Sequence, residues 1–250
     1  MSDQAAARPA PPAQSLLWGL ISTALLAGWI GWQFGWVCAI AGVVGVFVHE
    51  YGHVLAINAL GCGPGRIHIV PFFGGAATWS RPPKSELDGV LIALAGPVFG
   101  LVAMAPFFLA YALTDETRWL GGAFFIAVIN LLNLAPAPPL DGSKALGPAL
   151  ARVHPWLERA AMLAIGLLFL AWAITRHQYI LALFVGLGVL GAFRKGALRP
   201  WSAPLTTRQW LLAVGLYLVS LVFCVLAVDI ATGGDHPGAG LMAMGRMFGG

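Results

Sequence analysis

The residues best equipped for chemistry lie in an apolar stretch of the chain. His49-Glu50-Tyr51-Gly52-His53 forms an HExxH pattern inside the run from Val43 to Leu60. On a helix, residues four apart share one face, so both imidazoles reach a single zinc ion while Glu50 lies close enough to activate bound water. Such a short pattern also arises by chance in soluble sequences. Here it occupies a candidate transmembrane helix, where an Asp or Arg at mid-membrane costs about 2.5 to 3.5 kcal/mol on insertion scales. The bland alternative, in which Glu50 pairs with a distant arginine and the histidines are satisfied core groups, fits that setting less well.

A catalytic zinc usually has three protein ligands and keeps its fourth position for water, so two histidines need a partner elsewhere. Asn133-Leu-Ala-Pro136-Ala-Pro138-Pro139-Leu140-Asp141-Gly142 closes a later apolar run. Its three prolines remove backbone donors and break the helix, and Asp141 brings a carboxylate to the broken end. Asp141 is thus a candidate third ligand. Taken alone it reads more readily as the cap of a following helix, because Asp-Gly-Ser suits a turn or a helix start. His68, His154, His177 and His236 have boundary or loop positions without ligand spacing, and read as solvated side chains.

These groups must be positioned by membrane-spanning elements. The chain is 59% hydrophobic and 10% charged, against about 45 to 50% and about 25% in soluble domains. About 20 largely apolar residues are needed to cross the hydrocarbon core. The candidates are Ser15 to Phe34, Gly35 to Leu60, Leu87 to Leu113, Trp119 to Ala135, Trp156 to Thr175, Tyr179 to Phe193 and Trp210 to Ile230, of which the sixth is short. The expected fold class is therefore an all-α polytopic membrane protein of about six to seven transmembrane helices. With a cytoplasmic N-terminus, Arg118, Arg176 and Arg246 alone among the 14 Lys and Arg residues fall outside, which obeys the positive-inside rule. The net charge of +4 is explained by that topology, and nucleic acid is not an expected partner.

Between the second and third spans, residues 66–79 place β-branched residues around a Gly74-Gly75 pair and read as a short membrane-associated β-hairpin. Non-helical backbone at membrane depth is tolerated only against protein or a wet cavity, so the hairpin is expected beside the cleft, with an edge able to pair with an unwound peptide. The expected organisation is a disordered cytoplasmic tail at 1–14, a catalytic core at 15–142, C-terminal transmembrane helices at 143–231 and a flexible tail at 232–250. Cys38, Cys62 and Cys224 show no CxxC spacing and read as small apolar residues.

With both motifs in view, the chain resembles the site-2 proteases, intramembrane zinc metalloproteases that cleave membrane-spanning substrates. The likeness rests on His49-Glu50-x-x-His53 and Asn133-x-x-Pro136-x-Pro138-Pro139-Leu140-Asp141-Gly142, in that order and separated by two apolar stretches. It extends to Pro71-Phe72-Phe73-Gly74-Gly75 and Ala95-Gly96-Pro97, and covers roughly Val43 to Gly142. The resemblance implies one Zn2+ per chain held by His49, His53 and Asp141, with Glu50 as general base. It implies substrate contacts at the Gly74-Gly75 hairpin and at Asn133, whose side chain reads equally as an ordinary helix-packing group. Gly100 stands where relatives often carry Asn. No PDZ-type insertion fits between the motifs, so the compact bacterial type is the nearest likeness. The expected location is the cell inner membrane, with transmembrane protein substrates, the bilayer and a regulatory membrane protein as partners, in regulated intramembrane proteolysis. A transporter using the same ionisable residues as a proton or metal pathway, and a catalytically dead relative, are the competing readings.

Overall fold

A computed structural model describes residues 13–70, 74–195 and 203–232. In chain order the elements are α1 (Ala13–Phe34), α2 (Trp36–Ala59), β1 (Arg66–Val70), β2 (Gly74–Thr78), α3 (Glu86–Val102), α4 (Ala105–Thr114), α5 (Arg118–Asn133), α6 (Asp141–Val153), α7 (Pro155–Thr175), α8 (Tyr179–Lys195) and α9 (Thr207–Ala231). The described residues are largely helical, with one two-stranded sheet. Among the described residues, four stretches are long and apolar enough to cross a membrane: Trp36–Ala59, Glu86–Thr114, Pro155–Thr175 and Thr207–Ala231. Arg118–Asn133 is apolar but shorter, as is the apolar part of α8.

The helix ends follow local chemistry. Gly35 joins α1 to α2 at φ +89°, a backbone region that glycine enters without steric cost. Ser85 opens α3 with a reciprocal cap: its Oγ accepts from the Asp88 amide at 3.1 Å, and Asp88 Oδ2 accepts from the Ser85 amide at 3.1 Å. Thr206 and Gln209 repeat this arrangement at the start of α9. The expected third span is divided at Ala103–Met104 into α3 and α4. α6 is an element that hydropathy does not reveal, because its polar and apolar residues are mixed and only one face is buried.

α2 is the hub, packing against α1, α3 and α5. One core unites Val37 and Ala41 of α2, Phe107 of α4, Ala123, Ile126 and Ala127 of α5, and Val228 of α9. A second joins Val90 and Leu94 of α3 to Leu134, Ala145 of α6, and Ala213 and Tyr217 of α9. Close helix approach depends on small residues, as expected where apolar burial alone does not drive helices together. A Cβ at Gly52 of α2 would stand 2.6 Å from the Ala95 carbonyl oxygen and 2.7 Å from Phe99 Cβ of α3.

The hairpin forms over residues 66–78, with antiparallel register Arg66 to Thr78, His68 to Ala76 and Val70 to Gly74. Gly74-Gly75 opens β2. Pro71, Phe72 and Phe73 lie outside the described residues. Of the expected N-terminal tail only Ala13 and Gln14 are described, both in α1. The C-terminal tail lies outside the described residues from position 233.

Forcing α2 off α3 has a readable cost. Gly52→Leu is expected to lower stability by about 1 to 3 kcal/mol through overpacking, whereas Gly28→Ala in α1, where nothing lies within 4 Å of the new methyl, leaves it unchanged or slightly raised. Thermal unfolding of the detergent-solubilised proteins checks both.

Candidate metal centre

α2, α3, α5 and α6 converge on one buried point. α2 presents His49 and His53 on its inner face, with exposures of 3% and 6%, and Asp141 at the start of α6 is 5% exposed. Asp141 Oδ2 lies 3.0 Å from Nε2 of both His49 and His53, and the two Nε2 atoms are 3.1 Å apart. The fold thus brings together three residues predicted from separate motifs. Asp141 is the first residue of α6, after the N-cap Leu140, and its carboxylate points at the histidines.

The outer hydrogen bonds decide what this triangle can hold. His53 Nδ1 is 2.7 Å from the Ile92 carbonyl oxygen of α3, an acceptor only, so His53 carries its proton on Nδ1 and donates it there. His49 Nδ1 is 2.9 Å from Asn130 Oδ1. The Asn130 amide is oriented by its own Nδ2, which donates to the Ile126 carbonyl at 2.8 Å. His49 therefore also donates from Nδ1. In the neutral rings both Nε2 atoms then present lone pairs, and they face each other and a carboxylate oxygen. Three acceptors about 3 Å apart repel unless a proton on one Nε2 or a metal cation lies among them.

A metal ion satisfies that requirement. Four ligands bound tetrahedrally at about 2.0 to 2.1 Å stand about 3.3 to 3.4 Å apart by geometry, close to the separations above. Two further features fit. A Cβ at Gly96 of α3 would run into His53 Nε2 and would lie 2.8 Å from His49 Nε2, so a glycine keeps the space beside the ligand atoms open. Glu50 is 8% exposed and its Oε2 has no hydrogen-bond partner. His49, Glu50 and His53 can each offer a ligand atom within 4.8 Å of one another. The tighter triangle is completed by Asp141, which leaves the Glu50 carboxylate beside it and free to act. The other oxygen of Asp141, Oδ1, receives Lys144 Nζ at 3.0 Å, balancing one of the two buried acidic groups.

β2 lies directly over Glu50. A Cβ at Gly75 would stand 2.6 Å from Glu50 Cγ, so only glycine backbone fits there. Gly74 pairs with Val70 at the end of the hairpin. Asn133 turns back on its own helix, its Nδ2 donating to the Ile129 carbonyl at 3.1 Å. The asparagine that reaches the centre is Asn130, one helical turn earlier and fully buried. Gly100 bears on it too, since a Cβ there would collide with the Asn130 side chain. A polar residue in the last turn of the apolar α5 was the available signal for Asn130. Among the remaining histidines, His68 bonds Thr78 across the hairpin, His154 accepts from the Trp156 amide at the start of α7, and His177 bonds Tyr179; His236 lies outside the described residues.

Asn130→Ala is expected to weaken metal binding about 10- to 100-fold, the usual cost of losing a partner that orients a ligating histidine. Asp141→Ala is expected to weaken it further. Competition against a chromophoric chelator measures both. No family model, curated protein or solved structure matches the chain.

Proposed function

We propose that this protein is an intramembrane zinc metalloprotease of the site-2 protease kind. The observation that carries the reading is the pairing of a buried His49–His53–Asp141 acceptor triangle with the free carboxylate oxygen of Glu50. A site needed only for structure has no use for an unbonded acid beside three ligand atoms. Zinc is the metal best suited to two imidazoles and a carboxylate with one position left open, and when bound it acidifies water and polarises a carbonyl.

The protein's own groups do the rest. Glu50 takes the proton from the attacking water and delivers it to the departing amine, so no acyl-enzyme is needed. His53 and His49 are held in the ligating tautomer by Ile92 and Asn130. Lys144 keeps one oxygen of Asp141 engaged and leaves the other for the metal. A helical substrate hides its carbonyls and must be extended before it is cut. Among the described residues each strand of the hairpin has a neighbour on one side only, so a free edge remains that can take an unwound peptide by strand addition. Gly74 and Gly75 bring that strand close to Glu50, and Asn133 at the end of α5 is the candidate for orienting the substrate.

In this reading α1, α5 and α8 join the four long apolar stretches to give six to seven spans in the inner membrane, with the N-terminus cytoplasmic. Membrane-spanning proteins are the substrates, in regulated intramembrane proteolysis.

The test compares the native protein with Glu50→Gln on single-span substrates in liposomes, with bound zinc measured in both. Zinc is expected to be retained in both, and cleavage to fall about 10²- to 10⁴-fold with the base removed. If neither protein cuts and zinc crosses the liposome in a manner dependent on Asp141, the site is a transport pathway instead.

A further inference from the structure

The C-terminal helix α9 bears on the metal centre by a route that neither motif contains. α5 ends at Asn133, and helical continuation would close the Leu134 carbonyl with the amide of residue 138. Residue 138 is proline and has no N–H. The Ala137 amide goes to the Ala135 carbonyl instead, at 2.8 Å. Leu134 is 0% exposed, so water does not replace the missing donor. The carbonyl takes its hydrogen bond from Tyr217 Oη of α9 at 2.8 Å.

Gly142, the residue after Asp141, is seated on the same backbone. A Cβ there would collide with the carbonyl of Leu134 and stand 2.5 Å from the Ala135 oxygen. The end of α5 is therefore the wall against which the start of α6 rests. α9 also holds the other end of α6: Trp210 Nε1 donates to the Ala149 carbonyl at 3.0 Å. From α6, Arg152 donates to the Leu205 carbonyl at 2.6 Å and to Thr207 Oγ1 at 2.9 Å.

We propose that Tyr217, with Trp210 at the far end of α6, is a positioning residue for Asp141. The Tyr217 phenol closes the carbonyl that Pro138 leaves open, fixes the wall under Gly142, and so sets the distance of the Asp141 carboxylate from the two histidines. The apolar body of Tyr217 belongs to the core that holds Val90, Leu94 and Cys224, and phenylalanine supplies the same body. The hydroxyl serves the carbonyl alone. This inference rests on the reading of His49, His53 and Asp141 as metal ligands.

The experiment titrates the full-length protein, Tyr217→Phe and Trp210→Phe in detergent with Co2+ and Zn2+, against a chromophoric chelator, and records the d–d absorption of the Co2+ form. Tyr217→Phe is expected to lower affinity about tenfold, at the lower end of the range for outer partners of metal ligands, and to alter the Co2+ absorption. Trp210→Phe is expected to act in the same direction. Unchanged affinity and absorption in Tyr217→Phe overturn the proposal, and so does a fall in thermal stability alone, which is what a phenol used only for packing produces. If Tyr217→Phe does not fold, Trp210→Phe decides by the same two readouts. Failure of the unsubstituted protein to bind either ion overturns the metal reading itself, and the inference with it.

Discussion

The centre of this protein is organised by two hydrogen bonds that lie outside it. The Ile92 carbonyl and the Asn130 side chain each take the Nδ1 proton of a histidine, and each thereby turns an Nε2 lone pair inwards. With Asp141 Oδ2 added, three acceptors meet 3.0 to 3.1 Å apart in a buried space. A proton on one Nε2 would pair that histidine with Asp141 and leave the other lone pair facing them, whereas a metal cation satisfies all three acceptors at once. The arrangement is a demand for positive charge written into the packing of four helices.

That demand explains several features that otherwise look unrelated. α3 approaches α2 closely enough for a backbone carbonyl to reach His53, which requires Gly52 on one helix and Gly96 on the other. α5 approaches α3 closely at Gly100, where the Asn130 side chain lies. The proline-rich turn ends α5 abruptly, so that Asp141 starts a new helix at the height of the histidines rather than continuing the old one away from them. Pro97 sits inside α3 just beyond the turn that offers Ile92, where loss of an amide loosens the helical ladder.

The C-terminal region is part of this construction. The turn before Asp141 leaves a buried carbonyl without a backbone donor, and burial makes such a group costly. Tyr217 meets it from 83 residues away. α8 packs against the same turn, since a Cβ at Gly188 would stand 2.5 Å from Pro139 N. Thus the chain after Gly142, which carries no motif, holds the turn in place. The hairpin has the complementary position, with the glycine backbone of β2 over Glu50.

The sequence by itself pointed to a largely helical, apolar chain, to the hairpin, and to His49, Glu50, His53 and Asp141, which the fold brings to one place. Helical spacing places two imidazoles on one face, hydropathy marks an apolar span, and three prolines mark a break; each of these is a local signal. Asp-Gly-Ser marked a helix start at Asp141, but the mixed polarity of α6 gave no hydropathy signal for its extent, and the division of the third span at Ala103–Met104 was not legible. The sequence did not single out Asn130, which makes the contact to His49, while Asn133, expected at the substrate, bonds to its own helix. Only the tertiary structure decided which asparagine, which carbonyl and which phenol complete the centre. Such choices depend on how five helices are rotated and spaced, and no spacing along a single helix contains that information.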